Sequence, residues 1–205
     1  MTGDETSGMF EGDPDGATAI DPDEAGDLLP SHIRTRQELN LWEQENILQA
    51  AAWAKRARTP ALDDLTIRKL HRRMFDRTWT WAGRYRTSDR NIGVDWRLVP
   101  SEVRKLIEDG RFWLENGTYP VDEAVLRLHH RLVLVHPFPN GNGRHARLWC
   151  DMLLEQNGRP AFMWKNTELD EPGEARRAYI EALHAADMGD YAPLLTLILE
   201  GRDSE

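Results

Sequence analysis

The stretch that most constrains this chain runs from His136 to Arg147 and has the sequence HPFPNGNGRHAR. Two glycines flank Asn142, and apolar residues recur at helical spacing after Arg144. This pattern predicts a tight loop that opens a helix, because glycine lets the backbone curl without a Cβ in the way. Backbone N–H groups at such a helix start, together with the positive end of the helix dipole, bind phosphate oxygens. The stretch therefore predicts a phosphate-binding loop.

Three charged or titratable side chains around this loop indicate its chemistry. Arg144 and Arg147 are three residues apart, so on a helix they share one face. Their planar, permanently charged guanidinium groups suit phosphate oxygens. His136 lies just upstream, where an imidazole can take a proton from an attacking hydroxyl. The residues alone therefore predict nucleotide phosphates next to one general base.

The same stretch resembles the signature of the Fic (Fic/Doc) family, His-x-Phe-x-[Asp/Glu]-Gly-Asn-Gly-Arg-x-x-Arg, at every fixed position except Asn140. Residues 81–86 resemble the segment that leads into the target-docking flap of that family, and residues 179–195 resemble its closing helices. More narrowly, residues 28–33 and 38–40 resemble the "mobile mystery protein B" group. The resemblance implies a mainly α fold, a Fic-type helical bundle with a small β-hairpin flap.

The reaction that this resemblance implies is protein adenylylation, in which AMP moves from ATP to a Ser, Thr or Tyr hydroxyl of a target protein that docks on the flap by strand addition. His136 would be the catalytic base, and Phe138 would anchor the loop in the core. The phosphates would be bound by Gly141, Asn142, Gly143, Arg144 and Arg147. Two alternatives stay open: another nucleotidyl or phosphate transfer, as in Doc-like members, and a non-catalytic nucleotide-binding regulator.

Asn140 stands where the family has an acid that holds Mg²⁺. An amide offers a carbonyl oxygen but no charge, and Mg²⁺ usually takes one or two carboxylates with phosphate oxygens and water. We therefore expect Asn140 to support Mg²⁺ (or Mn²⁺) less tightly, with slower catalysis or an altered metal or nucleotide preference.

Many Fic proteins carry an inhibitory helix with the pattern [Ser/Thr]-x-x-x-Glu-[Gly/Asn]. Residues 196–201 match this pattern and would make Glu200 the inhibitory residue. Residues 41–46 match it in a degenerate form, with Glu45 as the second candidate. A separate antitoxin-like protein is the alternative regulator.

The net charge of −9 lies at the N-terminus. Residues 1–30 contain nine acids and no Lys or Arg, so 35 − 9 leaves 26 acids against 26 bases in residues 31–205. We therefore expect an acidic, disordered leader over 1–30 and one Fic domain over 31–205, with a flap at about 83–99 and the signature loop at 136–147. A neutral domain argues against direct nucleic-acid binding.

The compartment follows from two further features. No apolar run reaches the roughly 20 residues that span a membrane, and the N-terminus has no pattern of a signal peptide. Cys150 is the single cysteine, which excludes an internal disulfide and fits a reducing compartment. The sequence thus predicts a cytoplasmic protein with no membrane partner, and Cys150 is expected to be a core residue.

Helical periodicity predicts the remaining elements. Thr35 and Glu38 form a capping box that opens a helix to about residue 58, and Asp63 or Asp64 opens the next, with His71 on a solvated face. Further helices are expected at about 100–115, from 122, and at 142–156, 174–188 and 191–200. His129 and His130 are expected to be satisfied or exposed histidines, not metal ligands. Aromatic residues alternate with polar ones over 77–99, which predicts short strands or a hairpin.

Overall fold

The computed structural model describes residues 26–33, 35–164, 169 and 173–199. Helices dominate this described part of the chain, as the sequence predicts. They are α1 (Arg36–Ala54), α2 (Asp64–Phe75), α3 (Val99–Asn116), α4 (Val121–Val135), α5 (Asn142–Gln156), α6 (Glu174–Asp187) and α7 (Ala192–Leu199), with a short 3-10 helix at Trp96–Leu98. Within these ranges no helix combines the length and the apolar character needed to cross a bilayer.

The helix ends follow from local sequence. The Thr35 hydroxyl accepts the Glu38 N–H at 3.2 Å and the Glu38 carboxylate accepts the Thr35 N–H at 3.0 Å, so the predicted capping box opens α1. The Asp63 carboxylate accepts the Thr66 N–H at 2.9 Å and caps α2. Gly117 ends α3 in the left-handed conformation, with φ at 60°. Local hydrogen bonds therefore fix where the long helices begin and end.

Helices α4 and α5 pack against each other at the centre of the bundle, and α5 also contacts α1 and α2. The other helices pack in pairs, α1 with α2, α3 with α4, and α6 with α7. Trp149 of α5 is fully buried, and its indole N–H donates to the Ala61 carbonyl at 2.8 Å. Cys150 is a buried core residue, as expected. The loop that joins α4 to α5 is the signature loop, so it is held from both sides by the most buried helices.

The predicted hairpin over residues 77–99 is wrong. The structure gives turns and bends there, followed by the 3-10 helix. The isolated bridge that it describes joins Leu28 to Trp79 and lies outside any named strand. The aromatic residues are used for packing instead, since Trp79 and Trp81 are buried and their rings stack at 5.1 Å. Arg86 donates to backbone carbonyls of this segment that a hairpin would need for pairing.

Residues Leu28 and Leu29, at the end of the predicted leader, contact the segment after α2. Leu28 bridges to Trp79, and the Leu29 N–H donates to the Thr78 carbonyl at 2.8 Å. The last residues of the predicted leader therefore pack on the bundle, while residues 1–25 lie outside the described part.

Candidate active site

Helix α4 ends in an unusual turn at His136. This residue has φ at 53° and ψ at 60°, and it is the one non-glycine residue with positive φ in the described part of the chain. Such a conformation is strained for a residue that carries a Cβ, so it persists only where neighbouring contacts fix it. The turn directs the chain away from α4 and into the signature loop.

The side chain of Asn142 closes that loop. Its Oδ1 accepts the Phe138 N–H at 2.9 Å and its Nδ2 donates to the Phe138 carbonyl at 2.9 Å. Asn142 is buried, so these bonds lie away from water, and an unpaired partner there would be costly. The side chain therefore shapes the loop from inside, and what residue 142 presents to a ligand at the start of α5 is its backbone.

Phe138 anchors the loop in the core. It is fully buried, and its ring stacks on the imidazole of His71 with a centroid distance of 3.7 Å and an interplanar angle of 16°. His71 itself was predicted on a solvated face, and this prediction is wrong because the side chain is completely buried. The periodicity of α2 places His71 on the same face as its neighbours Ile67 and Met74, which are also buried.

His71 joins three segments. Its Nδ1 accepts the Gly83 N–H at 3.0 Å, so its Nε2 carries the proton and donates to the Asn140 carbonyl at 3.0 Å. Burial lowers the pKa of His71 well below its usual value, with a further contribution from His145. The neutral imidazole of His71 on α2 thus connects the signature loop to the turn at Gly83.

Gly141 needs to be glycine for two reasons. Its φ is 74°, and a Cβ on it would lie 2.4 Å from the ring of Phe75. The close approach brings the loop down onto α2 and starts α5 with no side-chain cap. The N–H groups of the first turn of α5 are therefore presented as donors for a bound anion.

Both arginines of the motif lie near this helix start. The Arg147 side chain is buried and folds back, with Nη1 3.7 Å from the position that a Cβ on Gly143 would take. The Arg144 guanidinium carbon lies 5.1 Å from the centre of the Phe75 ring. Both cations therefore border the uncapped end of α5, where their charges add to the helix dipole.

His136 is buried and neutral. Its Nδ1 lies 3.3 Å from the Val133 carbonyl, an acceptor only, so Nδ1 carries the proton and Nε2 is the basic nitrogen. Burial lowers the pKa of His136 to about 4; the Val133 carbonyl opposes this, and the charges of Arg86 and Arg90 add to it. The pKa of His136 in the folded site therefore lies below the ordinary histidine value of about 6.5.

Glu43 of α1 is an acid that contacts an arginine of the signature loop. Its Oε2 lies 2.6 Å from Nη1 of Arg144, and its Oε1 accepts the indole N–H of Trp79 at 2.7 Å. The Glu43 side chain is 5% exposed. The sequence candidate Glu45 lies on the exposed face of α1, where its carboxylate accepts a hydrogen bond from Gln49. The other candidate, Glu200, lies outside the described residues.

The residues at the metal position do not form a site for Mg²⁺. Asn140 contributes one neutral amide oxygen, and that Oδ1 already accepts the Gly141 N–H at 2.6 Å. No group of three or more Asp, Glu, His or Cys residues in the described ranges is arranged to hold a metal. Because Mg²⁺ prefers anionic oxygen ligands, the donor set fits the metal poorly.

His130 has hydrogen-bond partners for both ring nitrogens, whereas His129 has, among the described residues, a partner at Nε2 and none at Nδ1. His129 Nε2 lies 2.6 Å from the Tyr179 hydroxyl, and His130 Nε2 lies 2.8 Å from a carboxylate oxygen of Asp187. Both are buried between α4 and the C-terminal helices. They take no part in the candidate site.

Sequence analysis missed Glu43, His71 and Arg86 as residues of the site. For Glu43 the information was present, because positions 39, 43, 46 and 50 lie on one helical face and all are buried, whereas Glu45 shares its face with the exposed Leu41 and Leu48. No sequence pattern distinguishes Arg86 from the other arginines of its segment. Its role follows from carbonyls that the fold brings together.

The His71→Phe variant tests how the loop is held. Phenylalanine keeps the stacking on Phe138 but leaves the Gly83 N–H and the Asn140 carbonyl unpaired. We expect the free energy of unfolding in urea to fall by about 1–3 kcal/mol. Replacement of the exposed neighbour, Arg72→Gln, should change it by less than about 0.5 kcal/mol. Equal stability of His71→Phe and the wild type would contradict this account.

Comparison with known proteins identifies the family. Residues 61–154 match the model of the Fic/DOC family. The protein adenylyltransferase fic-1 of Caenorhabditis elegans is 30% identical over 182 residues, which are 85% of this chain and 34% of that protein. The protein of the same name from Caenorhabditis briggsae is 29% identical, with the same coverage. The chain thus spans about a third of the length of these curated relatives.

Solved structures show the same fold. Fic-1 from Caenorhabditis elegans superimposes with a TM-score of 0.63 at 25% identity, covering 85% of this chain and 51% of that one. BepC from Bartonella tribocorum, solved with bound AMPPNP, gives a TM-score of 0.61 at 18% identity and covers 80% of this chain and 86% of its own. The narrower resemblance to the mobile mystery protein B group stays a prediction. The chain is a member of the Fic/DOC family.

Proposed function

We propose that this chain is a protein adenylyltransferase that moves AMP from ATP to a hydroxyl group of a target protein. The observation that carries the proposal is the composition of one loop. At one end it holds a neutral imidazole, His136, and at the other it presents the uncapped start of α5 between Arg144 and Arg147. A base and an anion site joined by a rigid loop suit in-line transfer of a phosphoryl-type group. The adenylyltransferase names of the curated relatives support the same activity.

In the proposed step the target oxygen attacks the α-phosphorus of ATP. The new O–P bond forms as the bond from the α-phosphorus to the bridging oxygen breaks, and pyrophosphate leaves. The proton of the hydroxyl goes to Nε2 of His136. With a pKa of about 4, His136 is a weak base, so it takes the proton as the attacking oxygen becomes acidic during bond formation.

Helix α5 and the two arginines would bind the phosphates of ATP. The backbone N–H groups of residues 142 and 143 would donate to phosphate oxygens, and Arg144 and Arg147 would neutralise the charge on the leaving pyrophosphate. ATP as the substrate is supported by the relatives' names and by the AMPPNP that BepC binds. We assign no step to Mg²⁺, because Asn140 and its surroundings do not fit a metal held by the protein.

The target would dock beside His136 on the segment from Arg86 to Trp96. This segment is largely exposed, and the Gly93 backbone packs directly on His136, since a Cβ on Gly93 would lie 2.7 Å from the His136 Cβ. An extended target peptide that pairs with exposed backbone here would bring its hydroxyl to the base.

The use of ATP as a substrate and the single cysteine support a cytoplasmic location.

Labelled ATP tests the proposed function. Purified protein is incubated with ATP labelled at the α- or the γ-phosphate, with Mg²⁺ or Mn²⁺ and a cell lysate, and protein-bound label is measured. We expect label on protein from the α-position only, and its loss in His136→Ala. Label from the γ-position would indicate phosphate transfer, and no label from either position, even when Glu43, Glu45 and Glu200 are replaced, would favour a nucleotide-binding regulator. Either of these results would contradict the proposal.

We further propose that the described arrangement is an inhibited state. The buried carboxylate of Glu43 holds Arg144 at 2.6 Å and places negative charge where phosphate oxygens would bind. While this pair persists, Arg144 contributes nothing to the binding of ATP, and the carboxylate of Glu43 repels the triphosphate. Because the side chain of Arg144 is still 23% exposed, it can turn to a ligand once Glu43 releases it.

The Glu43→Gln variant tests this inhibition. Glutamine keeps an oxygen for the Trp79 indole but loses the charge that holds Arg144. We expect the rate of AMP transfer to rise on the order of 5- to 150-fold, the range of an intramolecular coupling of about 1–3 kcal/mol. Glu45→Gln, on the exposed face of the same helix, should have no effect.

The alternative regulators give different results in the same assay. Activation by Glu45→Gln or Glu200→Gly, with none by Glu43→Gln, would refute the role of Glu43. If none of the three variants is activated but removal of a copurifying protein raises the rate, an antitoxin-like partner is the regulator.

A further inference from the structure

Arg86 is a buried cation whose partners are backbone carbonyls from two segments. Its side chain is completely buried. Its Nε donates to the His136 carbonyl at 2.7 Å, and its Nη2 donates to the Val135 carbonyl at 3.4 Å. On the other side, Nη1 donates to the Ser88 carbonyl at 3.0 Å, and Nη2 donates to the Val94 carbonyl. One guanidinium therefore joins the end of α4 to both ends of the segment from Ser88 to Val94.

These contacts use what distinguishes arginine from lysine. A buried cation is destabilising unless hydrogen bonds replace its hydration. The nearby carboxylate of Asp89 lies 3.6 Å away and is 64% exposed, so most of the compensation comes from the carbonyls. Arginine offers donors in a rigid planar fork that reaches several acceptors at once, while lysine offers its donors from one point. A lysine in this place would keep the charge and lose part of the network.

The network bears directly on the conformation of His136. The strained turn at this residue, with φ at 53°, places its carbonyl against Nε of Arg86. The Arg86 backbone N–H also donates to the carbonyl of the next residue, Pro137, at 2.9 Å. Arg86 thus holds the peptide groups on both sides of the turn that orients the imidazole.

Gly93 gives an independent indication of the same coupling. Its φ is 106°, and a Cβ on it would lie 2.7 Å from the His136 Cβ and 2.9 Å from Nη2 of Arg86. The backbone of the exposed segment therefore rests on the base and on the arginine together. A methyl group at Gly93 would push the segment away from both.

We propose that Arg86 is a positioning residue that fixes the segment from Ser88 to Val94 and the His136 turn as one unit, so that a docked target hydroxyl faces the imidazole. This inference rests on the proposed function, because it supposes that the segment receives the target. Arg86 acts on the geometry of transfer and lies outside the phosphate site. Its loss should therefore lower kcat and leave nucleotide binding unchanged.

Arg86→Lys is compared with Arg111→Lys, a matched control. Arg111 also donates to a backbone carbonyl, that of Leu62 at 2.6 Å, but it lies on α3 away from the site. AMP transfer gives kcat and the KM for ATP, and calorimetry with a non-hydrolysable ATP analogue gives the Kd. We expect kcat of Arg86→Lys to fall roughly 10²-fold, as for a misplaced reacting group. The Kd for the analogue should not change, and Arg111→Lys should match the wild type in both.

Gly93→Ala is the second variant, since it alters the same contact while the Arg86 side chain is kept. It should show the same pattern, a lower kcat with an unchanged Kd, even if Arg86→Lys does not fold. An unchanged kcat in a folded Arg86→Lys, or in Gly93→Ala, would overturn the inference. A fall in kcat matched by an equal loss of analogue affinity would overturn it as well.

A readout without catalysis separates this inference from the proposed function. Hydrogen exchange of residues 84–98 and the side-chain resonances of His136 are measured in the wild type and both variants. We expect faster exchange in the segment and shifted His136 resonances in Arg86→Lys and in Gly93→Ala, with Arg111→Lys unchanged. If neither the wild type nor Glu43→Gln transfers AMP but these changes occur, the coupling stands and the proposed function fails. If transfer occurs and the changes do not, the coupling fails alone.

Discussion

Two hydrogen bonds between the Asn142 amide and the backbone of Phe138 close the loop between α4 and α5, and the positions of the functional groups follow from that closure. The loop is pressed onto α2 by the stacking of Phe138 on His71 and by the absence of a Cβ on Gly141. Because these contacts are buried, each is rigid and each has a high energetic penalty if one partner is lost. The base before the loop and the anion site after it therefore keep a fixed separation.

Positive groups around this loop are partly balanced by a carboxylate. The start of α5 and the two arginines form a positive site that a triphosphate would neutralise. In the structure part of that charge is already balanced by Glu43, a buried acid from α1 that also holds the Trp79 indole. Burial, together with the charges of Arg86 and Arg90, keeps His136 uncharged. The candidate base is thus kept neutral by its own surroundings, while we propose that the arginine site is controlled by a single carboxylate.

The sequence predicts the helices well, because their caps and apolar periodicity are local: Thr35 with Glu38 at the start of α1, and Gly117 after α3, act within a few residues. It fails where long-range contacts decide. The aromatic residues of 77–99 alternate as in a strand, but Trp79 and Trp81 are buried in the core. Arg86 donates to a backbone carbonyl that strand pairing would need. His71 was predicted to be exposed because two arginines follow it, but on α2 it is buried against Phe138. The motif predicts the candidate site residues, while Glu43 and Arg86 join the candidate site only through tertiary packing.

The protonation of His136 is the most direct test of the account, because the proposed reaction needs a neutral imidazole with its basic nitrogen at Nε2. Nitrogen-15 NMR of the His136 side chain, followed against pH in the wild-type protein, measures both properties. We expect a proton on Nδ1 and none on Nε2 at neutral pH, with protonation of Nε2 at a pKa of about 4. A proton on Nε2 at neutral pH, in the neutral or the cationic ring, would contradict it.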